Sequence, residues 1–72
     1  MPEERIEHRI RVLRFEHGEM SQQELAERCA CTRQTIIALE KGNYVPSLAL
    51  AFRIARAFGV SVEEVFKYVE TV

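Results

Sequence analysis

The segment SQQELAERCACTRQTIIALEKG, Ser21–Gly42, decides the fold because it contains two helix starts in close succession. Ser21 and Glu24 have the S-x-x-E spacing of a capping box, and Thr32 is a second N-cap residue. Side chains of these types bind the backbone N–H groups that the first turn of a helix leaves without partners. The segment therefore predicts two short helices joined by a tight turn, the first ending near Cys29.

Helical spacing within this segment predicts which side of each helix is buried, since its apolar residues recur at steps of three and four. The residues predicted to face the core are Leu25, Ala26, Cys29, Ile36 and Leu39. The opposite side of the second helix carries Arg33 and Gln34, residue types that pair with guanine and adenine in a DNA major groove. The pattern is typical of a helix pair whose first member crosses the DNA backbone and whose second enters the groove.

Helical spacing continues on both sides of this segment. A first helix is predicted over Glu3–His17, a fourth begins after Ser47, and the capping box of Ser61 and Glu64 starts a short fifth helix that ends near Phe66. The last residues, KYVETV, fit either a frayed helix end or a short extended segment. Because strand signals are nearly absent, the chain is predicted to be a compact all-α domain of five helices.

Length and composition bound the class of protein. The 72 residues are enough for one domain, so residues 1–72 are predicted to form a single unit. The charged N-terminus lacks the apolar run of a signal peptide, and Arg53 and Arg56 interrupt the most apolar stretch well short of the roughly 20 residues that a membrane span needs. Cys29 and Cys31 are too close for an unstrained disulfide, which favours a reducing cytoplasm.

The net charge of −1 excludes a positive field over the whole chain, so any contact with nucleic acid must depend on local charges. Arginines and glutamates alternate near the N-terminus: Arg5, Arg9 and Arg11 with Glu3, Glu4 and Glu7. We expect these to form a surface of ion pairs rather than a clamp on DNA.

No set of residues in the sequence indicates catalysis. The sequence shows no paired carboxylates that would lie in a pocket, no Ser/His/Asp arrangement, no phosphate-binding loop and no metal-ligand set, so an enzyme is not expected. Cys29 and Cys31 supply at most half of a zinc site; they are interpreted as two small apolar residues at the turn, with a thiol switch as the alternative. We expect no metal, no cofactor and no small-molecule ligand.

Three motifs in the chain are specific: S-Q-x-E-L-A from Ser21, T-R-Q-T-I from Thr32, and E-K-G-x-Y-x-P-S-L from Glu40. With them, the chain resembles the helix-turn-helix of phage repressor and Cro-like regulators, the Xre family, and most of all its small stand-alone members. The resemblance runs from about Ile10 to Phe66. It implies a lambda-repressor-like DNA-binding domain whose helix-turn-helix occupies residues 21–42.

The resemblance also implies roles for individual positions. The residues expected to face the bases are Arg33, Gln34, Ile37 and Ala38. Those expected at the sugar-phosphate backbone are Gln22, Thr35, Lys41, Asn43 and Tyr44. Arg14 and Glu40 occupy positions whose side chains form a partly buried ion pair in the family.

The turn departs from the family pattern. Ala30 stands where glycine is usual, and Cys31 where valine is common. If position 30 requires a positive φ, alanine costs about 1 kcal/mol there. Ile37 and Ala38 are apolar where many relatives are polar, so the base preference of the family is not transferred.

Several apolar residues do not fit the predicted core, and a cluster of such residues on a surface indicates a partner. We expect a two-fold homodimer built from residues 60–72 and part of the fourth helix. The expected interface residues are Val65, Tyr68, Val69, Val72 and Phe52. The segment KYVET is expected to pair in extended form with its mate or with the N-terminus.

The sequence therefore predicts a cytoplasmic, sequence-specific DNA-binding transcriptional regulator, a dimeric repressor that binds double-stranded DNA at a palindromic operator, with no membrane partner. The alternative is an antitoxin-like or protein-interaction module that uses the same fold.

Overall fold

The structure is a computed structural model that describes the backbone of residues 3–71 and the side chains of residues 4–70. It contains five helices and two strands in the order β1 Glu3–His8, α1 Ile10–Glu16, α2 Gln22–Arg28, α3 Arg33–Glu40, α4 Leu48–Phe58, α5 Val62–Val65 and β2 Phe66–Thr71. The five predicted helices are therefore present, and a two-stranded sheet is added to them.

The sheet corrects the all-α prediction. β1 and β2 pair antiparallel with Ile6 opposite Tyr68, so the first helix begins at Ile10 and not at Glu3. Residues 3–8 alternate in direction across the sheet, and their backbone groups bond to β2 instead of to the next helical turn. Of the two alternatives for the tail, pairing with the N-terminus is the one observed.

The core confirms the inward-facing side of the helix pair. Leu25, Ala26, Cys29, Ile36 and Leu39 are all buried, together with residues of α1, α4 and α5. A fully buried Leu or Ile contributes about 1.5–3 kcal/mol. Since α2 and α3 have only 7 and 8 residues, this packing and not intrinsic helix stability holds them in place.

Side-chain caps begin the two helices of this pair as expected. Ser21 Oγ accepts the N–H of Glu24 at 3.0 Å, and Thr32 Oγ1 accepts the N–H of Thr35 at 3.2 Å. The reciprocal bond of a capping box, from the N-cap N–H to the glutamate, forms at Ser61 and not at Ser21. The first predicted capping box is thus half formed.

The turn between α2 and α3 has the left-handed geometry that explains why the family usually has glycine at position 30. Ala30 has a φ of 55°, in the left-handed region. The N–H of Cys31 donates to Ala26 O at 3.0 Å, and that of Ala30 donates to Glu27 O at 3.3 Å. This is the Schellman pattern, which normally places glycine in the left-handed position.

Candidate nucleic-acid interface

A partly buried ion pair fixes the orientation of α3. Arg14 Nε lies 2.8 Å from Glu40 Oε2, and Arg14 Nη2 lies 3.0 Å from Glu40 Oε1. The two side chains are only 15% and 11% exposed, as the family resemblance implied. Arg14 Nη1 also donates to Met20 O at 2.8 Å, so one guanidinium joins the end of α3 to α1 and to the loop before α2. A planar bidentate pair of this kind restricts orientation as well as distance.

The N-terminal part of α3 is open to solvent. Arg33 and Gln34 are both exposed, and the structure's own chain does not cover them. Ile37 and Ala38, one turn later, are half-buried, so they present less surface to a ligand. The arrangement can bring two long polar side chains to base edges, with two smaller apolar groups behind them.

The residues expected at the DNA backbone differ in how free they are. Lys41, Asn43 and Tyr44 are exposed on the loop after α3. The Thr35 hydroxyl lies 3.1 Å from Thr32 Oγ1, and the amide Nε2 of Gln22 donates to Glu40 Oε1 at 3.1 Å. Gln22 is therefore tied to the ion pair, and it has one amide hydrogen left for a phosphate.

A polar cleft of about 500 Å³ lies between α1, the start of α2 and α3. Its lining residues are Arg11, Arg14, Ser21, Gln22, Gln23, Arg33 and Glu40. Three of these are arginines and one is a carboxylate, so the cleft is basic although the chain as a whole is not. A chain with a net charge of −1 can therefore still present a positively charged surface to nucleic acid, because its positive charges are concentrated in this cleft.

Two arginines lie at positions that the sequence pattern did not predict. Arg11 lines this cleft instead of joining a surface of ion pairs; it lies three residues before Arg14 and thus on the same side of α1, a signal that the spacing carried. Arg53 Nε donates to Cys29 O at 2.7 Å and so binds the end of α2 to α4. Nothing in the spacing of Arg53 indicated that contact.

The residues expected at a dimer interface differ in how exposed they are. Val65 is 1% exposed and belongs to the core, so it is not available to a partner, and that assignment was wrong. Phe52 and Tyr68 are exposed and Val69 is half-buried, whereas Val72 lies outside the described residues.

The Tyr68 hydroxyl shares its single donor hydrogen between two carboxylates, which hold the side chain on the sheet. Its hydroxyl lies 2.7 Å from a carboxylate oxygen of Glu70 and 2.7 Å from one of Glu4. These carboxylates, Glu70 first and then Glu4, raise the pKa of Tyr68 to about 12. Since Glu4 lies on β1 and Tyr68 on β2, the contact between their side chains joins the two strands.

The cysteines behave as apolar residues. Cys29 is fully buried, and its burial, with a smaller contribution from Cys31, raises the pKa of its thiol to about 11. Burial also raises the pKa of Cys31, which is half-buried. Since the thiolate is the reactive form, the protonated thiols favour the packing role over a thiol switch. Within residues 4–70, no group of three potential metal ligands is found.

An exposed polar helix on a short-turn helix pair, beside a basic cleft, defines a helix-turn-helix DNA-binding domain. A family model described as helix-turn-helix matches residues 13–65. The chain belongs to this family, the Xre-like helix-turn-helix transcriptional regulators, and is a DNA-binding transcriptional regulator.

The chain is similar along most of its length to proteins that are named uncharacterized HTH-type transcriptional regulators. One from Methanothermobacter thermautotrophicus is 62% identical over 79% of this chain and 83% of its own length. One from Methanocaldococcus jannaschii is 46% identical over 88% of this chain and 94% of its own length. YgzD of Bacillus subtilis is 46% identical over 85% and 91%, respectively.

Solved structures agree with the fold. The hypothetical transcription factor NHTF from Neisseria superposes with a TM-score of 0.70 at 31% identity, covering 76% of this chain and 62% of that protein. A putative DNA-binding protein from Bacteroides fragilis superposes with a TM-score of 0.72 at 21% identity, covering 86% of this chain and 98% of that protein. At this level of identity, the similarity supports the fold alone. Among the described residues, no helix has the length and apolar character needed to cross a bilayer.

Proposed function

We propose that the chain is a dimeric repressor that reads a palindromic operator through α3. The observation that carries this proposal is the exposure of Arg33 and Gln34 on a helix that the Arg14–Glu40 ion pair holds in a defined orientation. Because the helix is already held in one orientation, its backbone need not be ordered on binding, and only the two side chains lose conformational freedom.

Direct readout is assigned to the first turns of α3. Arg33 binds guanine O6 and N7, and Gln34 binds adenine N6 and N7, each pair contributing about 1–3 kcal/mol of discrimination. Ile37 and Ala38 contact thymine methyl groups at the edge of this surface. Because both are half-buried, their contribution to specificity is smaller than that of the two polar residues.

Backbone contacts orient the domain on the duplex. Gln22, Thr35, Lys41, Asn43 and Tyr44 are the proposed phosphate contacts. Lys41, Asn43 and Tyr44 are exposed on one loop, and Gln22 begins α2 on the cleft. Contacts of this type carry no sequence information, so they strengthen specific and non-specific binding alike.

Dimerisation places two copies of α3 in successive major grooves on one side of the DNA, about 34 Å apart. The residues proposed for the interface are Phe52, Tyr68 and Val69, since Val65 is buried in its own core. Phe52 and Tyr68 are 49% and 56% exposed, large apolar areas for a small monomer. Repression follows if the occupied operator overlaps a promoter and excludes the polymerase. The proposed place of action is the cytoplasm.

Selection of bound duplexes from random DNA tests class and symmetry together. We expect an enriched palindrome with half-sites one helical turn apart, and a mass of two chains per duplex in native mass spectrometry. Enrichment of a single asymmetric half-site by one chain would reject the dimer, and no enrichment of any sequence would reject specific readout.

A further inference from the structure

Arg11 and Arg33 are the two unpaired arginines in the polar cleft. The ion pairs among the described side chains are Arg5–Glu7 and Arg14–Glu40, so neither of these two guanidinium groups has a carboxylate partner there. Hydration of an exposed guanidinium group costs little free energy, but two like charges that line one cleft repel each other. An anion in the cleft relieves that repulsion.

The one carboxylate of the cleft does not supply this anion. Glu40 accepts two hydrogen bonds from Arg14 and one from Gln22, so its charge is already compensated. With three arginines and one glutamate, the lining carries a formal charge of +2. A cleft of about 500 Å³ is large enough to hold a phosphodiester group.

We propose that Arg11 is a further DNA-anchoring residue, which binds a phosphate of the operator backbone in this cleft. This inference rests on the proposed function, because the phosphate belongs to the duplex that α3 reads. The guanidinium of Arg11 reaches the cleft from α1, whereas the other proposed contacts lie on α2, α3 and the following loop. Arginine suits the role because its planar fork can donate two parallel hydrogen bonds to one phosphate.

A contact from α1 has a mechanical consequence for docking. Arg14, on the same helix, is bonded to Glu40 at the end of α3. A phosphate held by Arg11 therefore sets the position of α1 on the DNA backbone, and the ion pair transmits that position to the reading helix. We expect Arg11 to affect all sequences equally, since phosphates carry no base identity.

The test compares Arg11→Gln with Arg9→Gln as the matched control. Both variants remove one positive charge from the same part of the chain, but Arg9 lies on a different surface, beside Glu63 and Glu64. Affinity for a selected operator and for a scrambled duplex is measured over a range of salt concentrations. We expect Arg11→Gln to reduce the slope of log Kobs against log[salt] by about 0.9, the value for one lost phosphate contact, on both duplexes. Arg9→Gln should leave the slope at the wild-type value.

Circular dichroism confirms that each variant is folded, and Arg11→Lys should recover most of the slope because it keeps the charge. A slope for Arg11→Gln equal to that of Arg9→Gln would overturn the inference and leave the proposed function intact. If the wild type binds neither duplex, the proposed function and the inference both fail. A shift of the Arg11 Nε–H resonance with inorganic phosphate alone, without a change in the DNA salt slope, would assign the cleft to a free anion and also overturn the inference.

Discussion

Replacement of Ala30 by glycine should stabilise the protein. Ala30 has a φ of 55°, where the Cβ of an L-residue crowds the following carbonyl at a cost of about 1–2 kcal/mol. Glycine removes that strain, but it also gives the unfolded chain more freedom, which offsets about 0.4–1 kcal/mol. The net gain is about 0.5–1 kcal/mol, and for a domain of this size it corresponds to a rise in Tm of about 2–8 °C.

Thermal unfolding followed by circular dichroism measures this change. Ala49→Gly is the matched control, since Ala49 is exposed in the first turn of α4, where glycine costs about 0.5–1 kcal/mol. Glu19 has a φ of 57° in the loop before α2, so Glu19→Gly should raise the Tm in the same manner as Ala30→Gly. A fall in Tm for Ala30→Gly comparable to that for Ala49→Gly would refute the strain argument.

Three further predictions concern readout, the ion pair and pH. Arg33→Ala and Gln34→Ala should each cost about 1–3 kcal/mol on the operator and relax the preference at one base position, as measured by competition with single-base variants; unchanged binding would remove them from the readout. Arg14→Met should cost about 2–3 kcal/mol in urea unfolding because it leaves the Glu40 carboxylate without its main partner, and the double variant with Glu40→Leu should cost less than the sum of the two single variants; additive costs would contradict this coupling. The pKa of the Cys29 thiol rises from 9.0 to about 11 on folding, so the protonated thiol adds on the order of 2 kcal/mol to the free energy of unfolding below pH 9, and this stabilisation is lost as the pH rises to 11. Cys29→Ala should therefore make the free energy of unfolding depend less on pH between 9 and 11, and an unchanged dependence would show that the thiol is not responsible.

The helix pair was predictable from the sequence because its signals are local. N-cap residues such as Ser21 and Thr32 act on N–H groups two or three positions away, within reach of pattern reasoning. The inward side of the pair followed from steps of three and four. The family resemblance marked position 30 as one where glycine is usual, and the left-handed φ of Ala30 is what the structure adds. Arg33 and Gln34 were then the polar residues opposite the buried side.

The contacts of the site were only partly accessible to the same reasoning. The Arg14–Glu40 pair followed from the family resemblance, because its members are far apart in the chain and no periodicity relates them. The cleft that joins Arg11 to Arg33 exists only when α1 packs beside α2 and α3. Charge counts over the chain cannot reveal such a place, since they ignore which charges are neutralised by neighbours.

By itself, the sequence determined the helix-turn-helix, its buried side and the residues that face outward, since each depends on spacing of a few residues. Only the tertiary structure decided that residues 3–8 are a strand, that they pair with Phe66–Thr71, and that Val65 is core and not interface. The physical reason is that strand hydrogen bonds join segments some 60 residues apart, and their formation depends on where five packed helices place the two ends of the chain.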